Sequence, residues 1–304
     1  MKTGESDGHE RRELIGLLEG LVAVFFFSLT LPMSAYVVRE VDPVTTGLFR
    51  CLVAGVLACG VLVATKQKWP DKRQMKGLAA ASVGIVYVYP VFVAWAMKYT
   101  ASSHGSIVVG LLPLATAAAA GVLGYDRPGR RFWLAAIAGS VIVVGYALLH
   151  GGGALHPADL ALIFAVICSG VAYAEGGWLA KGMGGWQVIS WVMALNLPLV
   201  SVILAGMIWW KGFDPSWPAL LVMIFMGVFN QYAAFFGWYK AMAYVGVARV
   251  SQLQLLQPFM TVVFAVLVLR ETTHWSTWVA LVLVLGTVSI ARKAAVYKKT
   301  ELLS

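Results

Sequence analysis

The chain has 304 residues, of which 60% are hydrophobic and only 12% are charged, and its mean hydropathy is +0.79. Soluble domains carry about 25% charged residues, so this composition excludes a water-soluble enzyme or binding domain. The formal net charge of +9 does not indicate a nucleic-acid partner, because basic residues beside membrane spans usually mark cytoplasmic loops.

Apolar stretches of membrane-spanning length follow one another along nearly the whole chain. Each has the roughly twenty residues that a helix needs to cross the hydrocarbon layer. We predict spans 1 to 10 at residues 14–38, 44–65, 77–97, 102–123, 132–149, 159–179, 186–210, 217–239, 247–269 and 275–291. The pattern therefore predicts an all-α polytopic membrane protein with ten transmembrane helices and the lipid bilayer as its environment.

Polar segments flank and divide these spans. Residues 1–13 are predicted to be a disordered cytoplasmic tail, residues 150–158 a linker, and residues 292–304 a second cytoplasmic tail. The loop at residues 66–76 holds five Lys or Arg residues, and the loop at residues 124–131 is also basic. Placing both termini in the cytoplasm puts these loops on the cytoplasmic side, as the positive-inside rule requires. We expect a multi-pass protein of the cytoplasmic (inner) membrane.

Two stretches of the chain align with each other at one constant offset and without a gap. Residues 96–133 match residues 241–278, which places Pro113 on Pro258. A repeat of this kind indicates that two halves of the chain are copies of one unit.

The two units are predicted at residues 14–149 and 159–291, with five spans each. Because five is odd, the second unit enters the membrane with opposite polarity. Inverted repeats are typical of secondary transporters, which bind substrate near the midplane between the repeats. The alternative is a duplicated membrane protein that transports nothing, such as a scaffold or a sensor.

Polar side chains inside a bilayer are costly, and they often mark a substrate pathway. Arg50, in span 2, either meets a carboxylate in a cavity or serves a structural purpose, by snorkelling or by pairing with another helix. Polar and aromatic groups in spans 3, 6, 8 and 9 either line one cavity for an organic solute or join helices by hydrogen bonds. The predicted substrate-binding residues are Arg50, Tyr87, Tyr89, Tyr173, Asn230, Gln231, Tyr232, Ser251, Gln254 and Gln257.

Two ionisable residues are candidates for proton coupling. Glu175, in span 6, would exchange protons if burial raised its pKa, although Lys181 follows closely and places it near a membrane surface. His104 opens span 4, and histidine titrates near neutral pH. Facilitated diffusion without any coupled ion fits the sequence equally well.

Prolines interrupt several spans, and the pair at corresponding positions in the two halves is the most informative. Pro113 and Pro258 are predicted hinges next to the binding region, since paired interruptions point to it; inherited kinks are the alternative. No spacing of His or Cys suits a metal, and no phosphate loop or dinucleotide motif is present. We therefore predict no metal, no cofactor and no enzyme activity.

Three segments resemble the EamA-like part of the drug/metabolite transporter superfamily. They are LFRCLVAGVLA in span 2 and the two proline-bearing spans that end at an acidic residue, LLPLATAAAAGVLGYD and LLQPFMTVVFAVLVLRE. The resemblance implies ten helices in two inverted repeats around a central cavity, and secondary transport of metabolites or drugs. The chain is similar to bacterial amino-acid and metabolite exporters. It departs from them at Phe27-Ser28, where relatives often have Trp-Gly, and at Asp126, where they have Glu.

Together these features predict a secondary transporter that exports a small amphipathic metabolite, such as an amino acid, by alternating access. An uptake or facilitated carrier for a nucleoside, vitamin or drug-like cation is the alternative function. A monomer or a homodimer is expected.

Overall fold

The computed structural model describes residues 3–125, 127–150, 156–245, 247–293 and 296–297. Its α-helices are α1 (Thr3–Ser28), α2 (Thr30–Val37), α3 (Pro43–Ala64), α4 (Lys72–Ser82), α5 (Tyr89–Met97), α6 (Ser102–Val109), α7 (Leu112–Val122), α8 (Arg130–His150), α9 (Pro157–Met183), α10 (Gly185–Lys211), α11 (Trp217–Phe225), α12 (Ala234–Val245), α13 (Val247–Val250), α14 (Leu256–Leu269) and α15 (Trp275–Lys293). Two π-helices, Val83–Val88 and Met226–Ala233, and one 3₁₀-helix, Ser251–Leu255, complete the helical segments. The predicted all-α fold is confirmed.

Seven helical segments in the described ranges are long and apolar enough to cross a membrane, and they correspond to spans 1–4 and 6–8. Shorter apolar helices at Ile137–Tyr146, Leu253–Leu269 and Trp275–Thr287 lie within predicted spans 5, 9 and 10. The backbone of residues 3–13 is helical and continues into span 1, where we predicted a disordered tail. Most of the predicted linker, residues 151–155, lies outside the described residues.

Two short strands join distant loops. Strand β1 (Arg127–Pro128) follows span 4, and strand β2 (Val296–Tyr297) follows span 10. They pair antiparallel, with Arg127 opposite Tyr297. The sequence did not predict this contact between the loop after span 4 and the C-terminal segment.

Helix starts are fixed by local capping. Asp42 accepts hydrogen bonds from the Val44 and Thr45 backbone amides, and Pro43 occupies the first turn of α3. Asp71 opens α4 with a reciprocal capping box. Such caps satisfy the amides that have no partner in the first turn of a helix. The helix of span 2 begins one residue before its predicted start at residue 44, and that of span 3 begins at Lys72, before its predicted start at residue 77.

Irregular backbone occurs at corresponding places in the two halves. Span 4 breaks between α6 and α7, just before Pro113, and span 9 passes through the 3₁₀-helix just before Pro258. Spans 3 and 8 each contain a π-helix, and the two π-helices overlap at the repeat offset. Such irregular backbone within a membrane is tolerated where it faces protein or a cavity.

Helix packing follows the same internal symmetry. Spans that correspond in the two repeats pack against each other: α3 against α10, α6 against α14, and α8 against α15. The remaining large contacts come in related pairs, because α5 packs on α9 as α12 packs on α1. This is the pairing expected of two repeats related by a pseudo-two-fold axis.

The outer surface is apolar, as a lipid-facing surface must be. Large hydrophobic side chains such as Val122, Ile137, Val202 and Leu267 are more than half exposed. The buried polar side chains lie inside the helix bundle, and many of them surround its centre. The chain is therefore a multi-pass membrane protein with a polar interior.

Candidate substrate-binding site

A cavity lies at the centre of the bundle, between the two halves of the chain. Its lining comes from spans 1, 2, 3, 6, 8 and 9, and consists of Phe27, Thr30, Arg50, Ile85, Tyr89, Ser169, Tyr173, Asn230, Gln231, Phe235 and Gln257. The volume of the cavity is about 20 Å³, which is enough for one or two waters. In this conformation the site is therefore narrow.

Six of the ten predicted substrate-binding residues line this cavity together. They are Arg50, Tyr89, Tyr173, Asn230, Gln231 and Gln257. Thr30 adds a polar group, and Phe27 and Phe235 add aromatic surface, that the sequence prediction did not include. Ser169 adds a hydroxyl from span 6, one of the spans predicted to line the cavity.

Arg50 is the charged group of the cavity. It is only 2% exposed, so its guanidinium lies inside the protein and does not snorkel to the membrane surface. No described acidic side chain forms an ion pair with it, and its Nε atom has no hydrogen-bond partner. The titratable side chains that interact with its charge are Cys51, Tyr89 and Tyr173. The cavity therefore carries one uncompensated positive charge.

Some polar groups of the cavity bond to other protein groups, and others remain available to a solute. Asn230 donates to Thr30 Oγ1 over 3.1 Å, while its own Oδ1 has no partner in the part of the chain that the structure describes. Gln231 Nε2 donates to the Ile85 carbonyl over 2.9 Å. Ser169 Oγ is buried and has no partner among the described residues. An oxygen acceptor and a hydroxyl therefore remain available in the cavity.

One wall of the cavity is aromatic. The Tyr173 ring lies between three others, with centroid distances of 6.4 Å to Phe27, 5.7 Å to Phe235 and 6.0 Å to Trp238. The Trp238 indole nitrogen is buried and has no hydrogen-bond partner among the residues that the structure describes. This wall offers apolar contact area beside the charged group.

Side chains of the second repeat satisfy carbonyls freed in the first. Pro32 cannot donate to the Ser28 carbonyl, which accepts from Thr261 Oγ1 over 2.9 Å. Pro90 also has no amide hydrogen, and in the π-helix its partner would be the carbonyl five residues earlier, that of Ile85. The Ile85 carbonyl accepts from Gln231 instead. Thr261 was missed by sequence reasoning, although the repeat aligns it with a threonine and would have drawn attention to it. The site is built from both repeats at once.

Four predicted residues lie beside the cavity and do not line it. Tyr87 donates to Asn196 Oδ1 over 2.8 Å, and Tyr232 shares a 2.8 Å hydrogen bond with Ser190. Both bonds reach span 7, so these repeat-related tyrosines join helices.

The other two are in the irregular part of span 9. Ser251 donates to the Val247 carbonyl over 2.9 Å. Gln254 is 2% exposed, and its amide lies close to the Tyr173 hydroxyl, although no contact within the described structure has full hydrogen-bond geometry. Gln254 is therefore a buried polar group directly behind the cavity wall.

The coupling candidate Glu175 lies towards the C-terminal end of α9. Tyr125 donates to its Oε2 over 3.0 Å and stacks on Trp178 at 5.4 Å, while Arg73 sits 4.8 Å above the same indole. Burial and the neighbouring Glu175 raise the pKa of Tyr125 to about 12. The phenol therefore stays protonated and keeps donating to the carboxylate at neutral pH.

The other coupling candidate, His104, lies near the opposite end of α9. Its Nε2 is 2.7 Å from Asp159 Oδ1, and the His104 ring is 5.2 Å from that of Tyr146. Asp159 is 2% exposed and also accepts from the His156 backbone amide over 3.1 Å. Neither coupling candidate lines the cavity; they lie near the two opposite ends of α9.

The break in span 4 lies against one of the two predicted hinges, Pro258 in span 9. A Cβ atom added to Gly110, at the break in span 4, would lie 3.3 Å from Cγ of Pro258 in span 9. The two interruptions therefore pack against each other.

Among the described residues, no group of three His, Cys, Asp or Glu side chains could hold a metal ion.

Comparisons with known proteins agree with this architecture. The model of the EamA-like transporter family matches residues 14–149 and again residues 156–292. The chain is 36% identical to the uncharacterized transporter YdeK of Bacillus subtilis (strain 168) over 286 residues, covering 92% of this chain and 98% of that protein. It is 21% identical to the uncharacterized transporter YwfM of the same organism, covering 87% and 89%.

A solved crystal structure shares the fold, with a TM-score of 0.61 and 17% sequence identity, and covers 91% of this chain and 98% of its own. The family match spans both halves of the chain, and the relatives named as transporters match it over most of their length. The chain therefore belongs to the EamA-like transporter family of the drug/metabolite transporter superfamily, and is a membrane transporter, not an enzyme.

Proposed function

We propose that this protein is a secondary transporter that exports a small amphipathic metabolite, such as an amino acid, across the cytoplasmic membrane by alternating access. The observation that carries the proposal is the central cavity, in which both repeats supply buried polar groups that have no partner among the described residues. Unpartnered buried polar groups are costly, so a solute that satisfies them would bind there. The direction of transport is proposed from the similarity to bacterial metabolite exporters.

Alternating access needs two places where the bundle can close. At one end, Glu19 pairs with Lys240 at 2.6 Å, and Tyr125 bonds to Glu175. At the other, Glu271 accepts from the Ser102 amide over 2.9 Å. These contacts join different spans at opposite ends of the cavity. Opening one set at a time, with bending at Pro113 and Pro258, would expose the cavity to one side and then to the other.

Proton coupling is proposed through one of the two end clusters. His104 with Asp159 and Tyr125 with Glu175 each place a titratable group in a contact between spans. Protonation would weaken the contact and so change which end opens. A facilitated carrier without a coupled ion uses the same cavity and the same ends.

The test is solute flux through purified protein in liposomes. We expect that a panel of labelled amino acids, organic acids, nucleosides and cationic drugs will contain at least one solute with saturable flux. Protein-free liposomes are the control for leakage. If well-folded, correctly inserted protein moved no member of the panel, with or without a pH gradient, the proposed function would be wrong.

A further inference from the structure

We propose that the transported solute carries a net negative charge and that its carboxylate binds the Arg50 guanidinium in the central cavity. The inference rests on the proposed transport function and names the solute class. It favours small organic acids over zwitterionic amino acids, and it excludes drug-like cations.

The first step is the charge of Arg50. An arginine cannot lose its proton in a protein, and burying an unpaired charge is costly. Arg50 is almost completely buried, yet none of the acidic side chains that the structure describes pairs with it. A bound anion would supply the missing counter-charge.

The second step is that the described acids of the spans are engaged elsewhere. Glu19 pairs with Lys240, Asp159 with His104, and Glu175 accepts from Tyr125. All three contacts lie away from the cavity lining. In the described structure, therefore, a solute would not have to displace a carboxylate in order to reach the guanidinium.

The third step concerns the remaining polar groups. Asn230 and Ser169 line the same cavity, and Asn230 Oδ1 and Ser169 Oγ have no partner in the described ranges. The first needs a donor, and the second can donate or accept. A hydroxyl on the solute would satisfy both kinds of group, while Phe27 and Phe235 would contact an apolar or aromatic body. The chemistry favours a small hydroxy-carboxylate with a hydrophobic side chain.

The net charge of the filled cavity then sets the selectivity. A monoanion brings the charge of the cavity to zero, a zwitterion leaves it at one positive charge, and a cation raises it to two. Like charges brought together in a buried site act as a repulsive element against the wrong ligand. Among solutes with the same hydrophobic group, we expect the anion to bind most tightly, the zwitterion less tightly and the cation least tightly.

The experiment uses two series, each with one hydrophobic group and a polar end that is anionic, zwitterionic or cationic: 2-hydroxy-4-methylpentanoate, leucine and isoamylamine, and 3-phenyllactate, phenylalanine and phenethylamine. Thermal stabilisation of the purified protein reports binding, and flux in proteoliposomes reports transport. We expect the two carboxylates to bind about ten- to a hundredfold more tightly than the two amines, as loss of a charged hydrogen bond implies. Chloride and inorganic phosphate at equal ionic strength are the controls for a simple anion effect.

Two variants test the assignment to Arg50. We expect Arg50→Gln to lose carboxylate binding, and Arg50→Lys to retain part of it because the charge is kept. Since Arg50→Gln could also disturb folding, Asn230→Asp is the second test. It places a carboxylate in the lining of the same cavity, and we expect it to weaken binding of the organic acids and improve that of the zwitterions.

The outcomes separate the two proposals. Three outcomes would overturn the anion inference and leave the transport function standing. They are tighter binding or faster flux of the amines than of the carboxylates, stabilisation by chloride equal to that by the carboxylates, and full carboxylate affinity in a folded Arg50→Gln protein. A different result would overturn the transport function and support the binding site: the carboxylates stabilise the protein, Arg50→Gln abolishes this stabilisation, and no solute shows flux.

Discussion

Thr261 Oγ1 donates a hydrogen bond to the Ser28 carbonyl over 2.9 Å, and thereby joins span 9 to span 1 at the edge of the cavity. The carbonyl is available because Pro32, four residues later, has no amide hydrogen to offer it. A threonine of the second repeat thus completes a helix of the first. The bond holds Ser28 in place, next to Phe27 in the cavity lining.

Removing this bond should destabilise the protein. We expect Thr261→Val, which keeps the shape but leaves the buried carbonyl without a donor, to cost about 1 kcal/mol. Thr261→Ser retains the hydroxyl and is the matched control. The measurement is the apparent melting temperature in detergent, which should fall for the valine variant and stay close to wild type for serine. Equal melting temperatures of the valine variant and wild type would show that the bond contributes nothing.

The two repeat-related tyrosines that bond to span 7 should affect stability and leave affinity unchanged. Tyr87→Phe removes the bond to Asn196, and Tyr232→Phe removes the bond to Ser190. We expect a lower melting temperature for each, with solute affinity within about twofold of wild type, because neither side chain lines the cavity. Tyr173→Phe, on the cavity wall, is the contrasting variant and should weaken binding. A large loss of affinity in Tyr87→Phe would restore that residue to the binding site.

A carboxylate from the loop before span 10 caps the start of span 4. Glu271 accepts from the Ser102 amide over 2.9 Å and from the Ser103 amide over 3.0 Å, with one oxygen for each. Arg270 adopts a left-handed conformation, with φ of 54°, and this turn directs Glu271 towards span 4. The repeat counterpart of Glu271, Asp126, lies outside the described residues.

Glu271→Gln should therefore weaken the attachment of span 4. A glutamine has one acceptor oxygen and no charge, so it can cap only one of the two amides and loses the attraction to the helix N-terminus. We expect a loss of about 0.5–2 kcal/mol in stability, typical of a lost helix cap, seen as a lower melting temperature. Glu271→Asp keeps the charge and is the control. A glutamine variant as stable as wild type would contradict the capping role.

The loop contact between Glu40 and Ser216 should make stability depend on pH. Glu40 Oε2 accepts from the Ser216 amide over 2.8 Å, and the hydrogen bonds from the side chain and backbone of Ser216 lower the pKa of Glu40 below 4.5. Because the folded pKa is the lower one, the stabilisation is present above pH 4.5 and is lost as the pH falls through the folded value. We expect wild type to melt above Glu40→Gln at neutral pH and the two to converge in acid. A constant difference at every pH would exclude this carboxylate as the cause.

Sequence patterns predicted the helical membrane fold because apolar length is a strong and local signal. They also predicted six of the residues that line the cavity, since polar groups such as Arg50 and Asn230 are conspicuous within apolar spans. They did not distinguish Tyr89, which faces the cavity, from Tyr87, which bonds to span 7. Both belong to the segment where a π-helix gives way to an α-helix, and a π-helix turns each residue through a smaller angle than the α-helical period assumes. The spacing of the two tyrosines therefore did not show which one faces the cavity.

The contact between Gly110 and Pro258 allows the hinge hypothesis to be tested with a control from the same chain. Pro258 follows a 3₁₀ segment, whereas Pro198 sits inside the continuous helix α10 and faces outward. Restoring an amide hydrogen at position 258 would let span 9 form a regular α-helix through the break. Bending there would then cost more, and conformational steps often limit the rate of a cycle.

We expect Pro258→Ala to slow solute flux several-fold at saturating solute and to change the solute affinity by less than about twofold, because the cavity lining is kept. Pro113→Ala, at the corresponding position of the first repeat, should act in the same direction. Pro198→Ala should leave the rate unchanged, since that proline does not interrupt its helix. The measurement is the maximal flux and the half-saturating concentration of the same solute in proteoliposomes. If Pro198→Ala slowed flux as much as Pro258→Ala, the effect would belong to proline loss in general, and the paired breaks would not be the hinges.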